Sequence, residues 1–214
     1  MNANDYYSIL QGAIFTVSLS VASLVIGIPL GLGLALIRWA KTPVLKGLAH
    51  AYVNVIRSCP AVTLVLLIYY ALPEFGISLN PVPAAVLALT LSTTAFNCEI
   101  WRSALVEFPN DQLDAANALG LNRFMRMRLI VFPQIWRASL PGIFNEITLQ
   151  IKSTPAVAVI GIVEITRAAL RVGSNTYEPL PPFIFALLIY SSIVYVFLKL
   201  QKFFEVRMKE QGYI

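Results

Sequence analysis

Three long stretches of this chain contain no charged residue. They run over residues 6–37, 75–98 and 179–198. A helix crosses a lipid bilayer with about 18 or more mostly apolar residues, and each stretch is at least that long. We therefore expect a protein that spans a membrane with helices, because a helix satisfies its backbone hydrogen bonds internally in lipid.

Two further apolar stretches are interrupted by charge. Residues 50–72 contain Arg57, and residues 140–163 contain Glu146 and Lys152. We count both as spans, because a soluble globule of 214 residues has too little polar surface to cover five apolar helices. The sequence thus predicts an all-α membrane protein with one domain over 1–214. Its five expected spans are 9–37, 50–72, 79–100, 140–163 and 180–200.

Composition and absent motifs exclude several classes of protein. Hydrophobic residues make up 57% and charged residues 13%, against about 25% charged in soluble domains. A net charge of +5 is too small for a surface that tracks nucleic-acid phosphates. Cys59 and Cys98 cannot form a four-ligand zinc site. No phosphate-binding loop of the G-x-x-x-x-G-K-[ST] type is present, so we expect no enzyme, no catalytic or metal-binding residue and no cofactor in this chain.

The basic residues indicate how the chain is oriented. With five spans, twelve Lys and Arg residues fall on one side of the membrane and only Arg167 and Arg171 on the other. Basic loops stay in the cytoplasm, so we expect the N-terminus outside and the C-terminus inside. The twelve are Arg38, Lys41, Lys46, Arg102, Arg123, Arg126, Arg128, Arg137, Lys199, Lys202, Arg207 and Lys209.

Residues 109–133 form a loop on the basic side and predict a helix–turn–helix. Asp111 is a candidate N-cap, and Gly120 has the backbone freedom that ends a helix. We expect the second helix to begin near Asn122 and to end before Pro133. Both helices are too short and too polar to cross the membrane, so we place them on the cytoplasmic face.

The spacing within this loop resembles the EAA loop of ATP-binding cassette (ABC) importer permeases. The matching residues are Asp114, Ala115, Ala116, Gly120, Ile130, Phe132 and Pro133. Asp114 replaces a Glu and Phe132 replaces a Leu, both mild changes. The resemblance implies the type I ABC importer fold, in which this loop is the coupling helix that docks on the ATP-hydrolysing subunit.

Other segments resemble the polar-amino-acid branch of that family, the histidine, arginine and glutamine type. They are Arg57-Ser58-Cys59-Pro60, the stretch AFNCEIWR over 95–102, Asn145-Glu146 and Lys152-Ser153-Thr154. The resemblance implies a bacterial inner-membrane importer whose ATPase dimer holds ATP and Mg. It also implies a second permease, identical or related, and an extracytoplasmic amino-acid-binding protein. Cys59, Pro155 and Ala156 depart from the branch pattern and leave the particular amino acid open.

Ionisable side chains within the spans suggest a substrate path. Each costs roughly 2.5–3.5 kcal/mol near mid-bilayer, so they must face one another, water or a ligand. Two interpretations stay open: the charges pair within the bundle, or Glu99 or Glu146 attracts the cationic group of an amino acid. The candidate path residues are Arg57, Asn97, Glu99, Asn145, Glu146 and Lys152. The alternative function is an ATPase-independent channel or an ion-coupled secondary transporter.

The first span contains the run GIPLGLG over 27–33. Small residues four apart let two helices approach closely, and a proline is tolerated where neighbouring helices satisfy the backbone. Close packing is the favoured interpretation of this run. A kinked or moving helix is the alternative.

Overall fold

The computed structural model describes residues 1–40 and 42–210, and all the regular structure in these ranges is helical. Lys41 and the side chain of Lys209, two of the basic residues used for orientation, lie outside the described part. The helices are α1 (Ala3–Trp39), α2 (Pro43–Ser58), α3 (Ala61–Ala71), α4 (Pro81–Val106), α5 (Asn110–Ala118), α6 (Arg123–Arg126), α7 (Phe132–Ser153), α8 (Ile165–Thr176) and α9 (Leu180–Glu210). The predicted all-α membrane fold is confirmed.

Three helices are long and apolar enough to cross a membrane by themselves: α1, α4 and α9. They contain most of the predicted spans 9–37, 79–100 and 180–200. These three helices form as predicted because a long charge-free stretch can satisfy its backbone in lipid only as a helix.

The predicted second span, 50–72, is not one continuous helix. It divides into α2 and α3, which are bent by 111° where Cys59 and Pro60 separate them. The ring of a proline pushes the residue before it out of the helical region, and Cys59 accordingly has an extended ψ of 127°. If the bent pair counts as one span, the described residues contain four candidate spans.

The predicted fourth span, 140–163, is also wrong as a single helix. It begins inside α7, which ends at Ser153 and continues as a 3₁₀ turn over Thr154–Ile160. Pro155 lies in the first turn of that segment, and Gly161 ends it with φ +99°, a conformation that glycine adopts without strain. The chain therefore turns within this stretch, and the count of five spans remains a prediction.

Helix α1 packs along α4 through its glycines. A Cβ atom on Gly27 would lie 2.6 Å from Cγ2 of Thr93, and one on Gly31 would lie 2.7 Å from Cβ of Asn97. Both distances are too short for a side chain, so the two backbones meet because these positions are glycine. Helix α1 continues unbroken through Pro29, in agreement with the close-packing interpretation.

The two ends of α1 contact different parts of the molecule. Near its N-terminus, Ile9 packs with α8 and α9, and Thr16 Oγ1 accepts a hydrogen bond from the backbone N–H of Ile165. At its C-terminus, Trp39 lines a cavity of about 630 Å³ together with Leu113 and Arg123. Because 37 residues of helix extend about 55 Å, α8 and the predicted coupling loop lie at opposite ends of the bundle.

Candidate functional site

Helix α5 is a short helix whose end is defined by Gly120. The N–H of Gly120 bonds to the carbonyl of Asn117 at 2.9 Å, and that of Leu121 bonds to the carbonyl of Ala116 at 3.1 Å. This pair of bonds is a Schellman motif, which needs a left-handed residue at the glycine position. Gly120 has φ +70°, so the predicted role of this glycine in ending the helix is confirmed.

The predicted start of the first coupling helix is wrong by two residues. Helix α5 begins at Asn110 with Pro109 in the N-cap position, and no side chain caps it. Asp111 lies in the first turn instead, where its negative charge interacts favourably with the helix dipole. Pro109 takes the extended conformation of an N-cap.

The second predicted helix does not end before Pro133. It begins at Arg123, capped by Asn122 Oδ1, which accepts from the N–H of Met125 at 2.9 Å. It then passes through a π-helical turn over Met127–Val131 directly into α7. Pro133 follows this π-helical turn, and the helical backbone passes through it. The second helix of the predicted coupling loop is therefore continuous with the helix of the predicted fourth span.

Side-chain hydrogen bonds attach α5 to that backbone. Arg126 donates to Oδ1 of Asn117, and Nε2 of Gln134 donates to Oε1 of Gln112 at 2.6 Å. One bond reaches the C-terminal half of α5 and the other its N-terminal half. Helix α5 is therefore fixed at both ends to the segment that leads into α7.

The predicted coupling residues form one exposed surface with a few buried supports. Asp114, Ala115 and Gly120 are exposed, and Ala116 is buried beneath them. Phe132 is 39% exposed, while Ile130 and Pro133 are partly buried. The structure thus places Asp114, Ala115, Ala116 and Gly120 in α5 and at its end, and places Ile130, Phe132 and Pro133 in the segment that leads into and begins α7.

Two apolar side chains on this surface were not among the predicted site residues. Leu119 is 78% exposed and Phe124 is 70% exposed. Both flank the turn at Gly120, and apolar residues within a polar loop were the signal that could have identified them. Exposed apolar side chains around a polar surface are typical of protein contacts.

The charges predicted along the substrate path do not form one cluster. Glu99 forms ion pairs with Arg38 and with Arg102, the latter at 2.7 Å. Arg38 also bonds to Nδ1 of His50 at 3.0 Å. Arg38 lies 61 positions from Glu99 in the sequence, and the sequence analysis assigned it only to a loop.

Glu146 is in a different environment. It is only 5% exposed, and among the described residues no ion pair includes it. Arg57 forms no ion pair with it, and the guanidinium carbon of Arg57 lies 5.3 Å from the ring centroid of Phe96. Of the two predicted acidic residues, Glu146 is therefore the one that no arginine holds in the described structure.

The remaining path candidates divide between the surface and the interior. Asn145 and Lys152 are exposed, with Leu149 between them on the same face of α7. Asn97 is buried, and its Nδ2 donates to the carbonyl of Thr93 at 2.9 Å. In the described part of the chain its Oδ1 accepts no hydrogen bond. Asn145 and Lys152 of α7 are therefore exposed, whereas Glu146, next to Asn145 in the chain, is buried.

Sequence and structure comparisons identify relatives of the whole chain. The nopaline transport system permease protein NocM of Agrobacterium fabrum is 38% identical over 191 residues, which cover 85% of this chain and 79% of the relative. The arginine transport system permease protein ArtQ of Bacillus subtilis is 33% identical, with 94% and 92% covered. The crystal structure of an amino acid ABC transporter with histidines superimposes with a TM-score of 0.86, at 34% identity and 94% coverage of each chain.

A family profile matches residues 27–210, and its description is "binding-protein-dependent transport system inner membrane component". This match confirms the predicted resemblance and argues against the ATPase-independent channel. It also confirms that the chain is a membrane component of a transporter and not an enzyme. The chain belongs to the family of inner membrane components of binding-protein-dependent transport systems.

Proposed function

We propose that this chain is the permease subunit of an ATP-driven importer of polar amino acids. The observation that carries the proposal is the position of α5, an exposed helix at one end of the bundle that is hydrogen-bonded to the continuous helical segment leading into α7. In this assembly a cytoplasmic ATPase dimer, which holds ATP and Mg, binds the surface from Asp114 to Gly120.

Coupling follows from the connection between α5 and α7. A displacement of α5 passes through Arg126, Gln134 and the π-helical turn into the helix that carries Glu146. π-Helical turns frequently occur at functional sites. The helix proposed to contact the ATPase, α5, is thus attached to the segment that leads into α7, which carries Glu146. ATP binding and hydrolysis therefore change access to the substrate path.

The polar face of α7 supports pairing with a second permease. Asn145 and Lys152 are exposed on α7, and Arg57 is exposed on α2. Contact between these groups and lipid is costly, so they face a watery path. One bundle leaves this face open, and a second permease subunit, identical or related, closes it.

The substrate class follows from the unpaired carboxylate. Glu99 is held by two arginines, whereas Glu146 is buried and unpaired in the described structure. A buried carboxylate becomes favourable when it binds a cation. We therefore favour amino acids with a cationic side chain, in keeping with a relative named for arginine transport. Arg57 or Lys152 then binds the substrate carboxylate.

The opposite end of the bundle suits the extracytoplasmic binding protein. Helix α8 buries one face, and Glu164 caps it by accepting from the N–H groups of Thr166 and Arg167. Its other face exposes Leu170 and Arg171. A short helix held by a buried cap offers a fixed platform, and Arg171 favours an acidic partner surface.

The coupling role is tested by replacing Gly120 with valine. A β-branched residue at φ +70° is strained by about 1–3 kcal/mol, and the strain is relieved by rearranging the turn that positions α5. We expect ATP-dependent uptake into vesicles to fall about tenfold or more, while membrane insertion is normal. The matched control is Gly76→Val, because Gly76 has φ +80° and, like Gly120, open space around its Cβ position.

Gly76 precedes α4, at the end of that helix away from α5, so the control carries similar strain without touching the coupling surface. Undiminished ATP-dependent uptake by the Gly120 variant contradicts the coupling role. An equal loss in both variants contradicts it as well, since strain alone then accounts for the defect.

A further inference from the structure

Helix α9 is longer than a membrane requires. The part from Leu180 to Met208 has 29 residues and extends about 44 Å, against a hydrocarbon thickness of about 30 Å. The stretch from Leu180 to Leu198 carries no charge and alone accounts for most of that thickness. The residues from Lys199 onward therefore reach the level of the lipid headgroups.

Four residues at this end of α9 form a line along the helix with a spacing of four. They alternate aromatic and basic: Tyr195, Lys199, Phe203 and Arg207. Nζ of Lys199 lies 5.0 Å from the ring centroid of Tyr195, and the guanidinium carbon of Arg207 lies 5.2 Å from that of Phe203. We call these four residues the basic-aromatic ridge.

The ridge points away from the protein. Tyr195 is 57% and Phe203 is 54% exposed, and both basic residues are exposed. The other side of α9 packs inward. There the ring centroid of Phe204 lies 5.6 Å from that of Phe144 in α7, and Met208 is buried. The packing of α9 therefore leaves the ridge free to contact lipid.

The cations of the ridge have no protein counter-ion in the part of the chain that is described. Neither Lys199 nor Arg207 forms an ion pair with a described residue. The nearby carboxylate of Glu205 accepts a hydrogen bond from Gln201 at 2.8 Å. Aromatic rings and long basic side chains at headgroup depth are typical lipid anchors, and a guanidinium matches the geometry of a phosphate.

We propose that the basic-aromatic ridge binds the phosphate headgroups of anionic glycerophospholipids. Lys199 and Arg207 are eight residues apart, about 12 Å along the helix, so each cation, held beside its own ring, contacts a separate headgroup. This site lies on α9 and shares no residue with α5 or with the substrate path. It holds whether or not the coupling role is correct.

Lipid retention tests the proposal on the assembled transporter. The complex is equilibrated in detergent with equal amounts of phosphatidylglycerol and phosphatidylcholine, and native mass spectrometry gives the ratio of the two lipids retained. We expect a preference for phosphatidylglycerol that falls about fivefold for each charge removed in the double variant K199Q/R207Q. The matched control K46Q/R171Q removes two charges from α2 and α8.

Two further arms separate the proposal from simpler explanations. The variant Y195L/F203L keeps the charges but removes the rings, and we expect a smaller loss of the preference. Added inorganic phosphate at millimolar concentration should leave the lipid ratio unchanged, because the ligand is a lipid. The proposal is overturned if K199Q/R207Q retains lipids like its control, if removing the rings has no effect, or if free phosphate displaces the lipid.

Discussion

The two acidic side chains predicted for the path, Glu99 and Glu146, differ in what surrounds them. Glu99 accepts from Arg38 and Arg102, so its charge is neutralised within the bundle. Glu146 is buried without such a partner in the described structure. Both are glutamates within predicted spans, so the sequence made them equal candidates for binding a cation. They differ because Arg38, at the end of α1, pairs with Glu99 and not with Glu146.

At the residue scale we predict that Glu146→Gln reduces uptake of basic amino acids. Gln keeps the size of Glu but removes the charge, and a hydrogen bond to a charged group contributes about 1.5–3 kcal/mol. Competition for uptake among the twenty amino acids should show a loss of roughly tenfold or more for basic substrates and little change for neutral ones.

Glu99→Gln is the control for that experiment. It removes the partner of Arg38, so we expect a lower thermal unfolding temperature and an unchanged preference for basic over neutral substrates. An unaltered preference in the Glu146 variant would contradict our substrate assignment without affecting the coupling proposal.

At the scale of elements, the contact between α1 and α4 depends on specific glycines. Gly31 faces α4 so closely that a Cβ atom would lie 3.0 Å from the backbone nitrogen of Cys98, whereas Gly33 has nothing within 4 Å of that position. The two glycines are two residues apart, so they lie on different sides of α1. Only one of them determines how closely the helices approach.

We therefore predict that Gly31→Ala destabilises the protein by about 1–3 kcal/mol, the usual cost of overpacking. Gly33→Ala should leave stability unchanged or raise it slightly, because alanine favours helix. Thermal unfolding of both variants in the same detergent measures the difference. Equal stabilities would show that the glycine contact does not hold α1 against α4.

Local sequence features predicted the elements that depend on local chemistry. The charge-free stretches predicted α1, α4 and α9, and Gly120 predicted the end of α5. Pro60 indicated a break in the helix, but the prediction of a span over 50–72 relied on the number of apolar residues. At Pro133 the error was the reverse: the proline was predicted to end a helix, but the helical backbone continues through it.

Contacts between distant residues could not be predicted in the same way. The ion pair of Arg38 and Glu99 joins α1 and α4, two helices that are not consecutive in the chain. The burial of Glu146 depends on which face of α7 meets the bundle. Both features are set by packing, so the spacing of residues in one segment contains no information about them.

At the scale of the whole molecule, the basic residues concentrate where α5, α6 and the end of α9 lie. Arg123 and Arg126 belong to α6, while Arg167 and Arg171 belong to α8 at the other end. This separation agrees with the predicted orientation, in which the basic end is cytoplasmic.

We predict that single cysteines at the two ends react from opposite sides of the membrane. In a background with Cys59 and Cys98 replaced by alanine, Tyr177→Cys lies at a 92% exposed position next to α8. A membrane-impermeant maleimide should label it in intact spheroplasts, and should label Asn117→Cys in α5 only after permeabilisation. The reverse pattern would contradict the orientation and with it the cytoplasmic docking of α5.

The attachments of α1 restrict how the transporter can rearrange. Near one end, Gly12 lets the helix touch the backbone of Glu164, to which a Cβ atom would approach within 2.9 Å, and at the other end Arg38 holds Glu99. A helix that is held near both ends cannot slide along its axis, and it can tilt only together with the helices that hold it. Any second conformation must therefore move α8 and the C-terminal part of α4 together with α1, or break one of these two contacts.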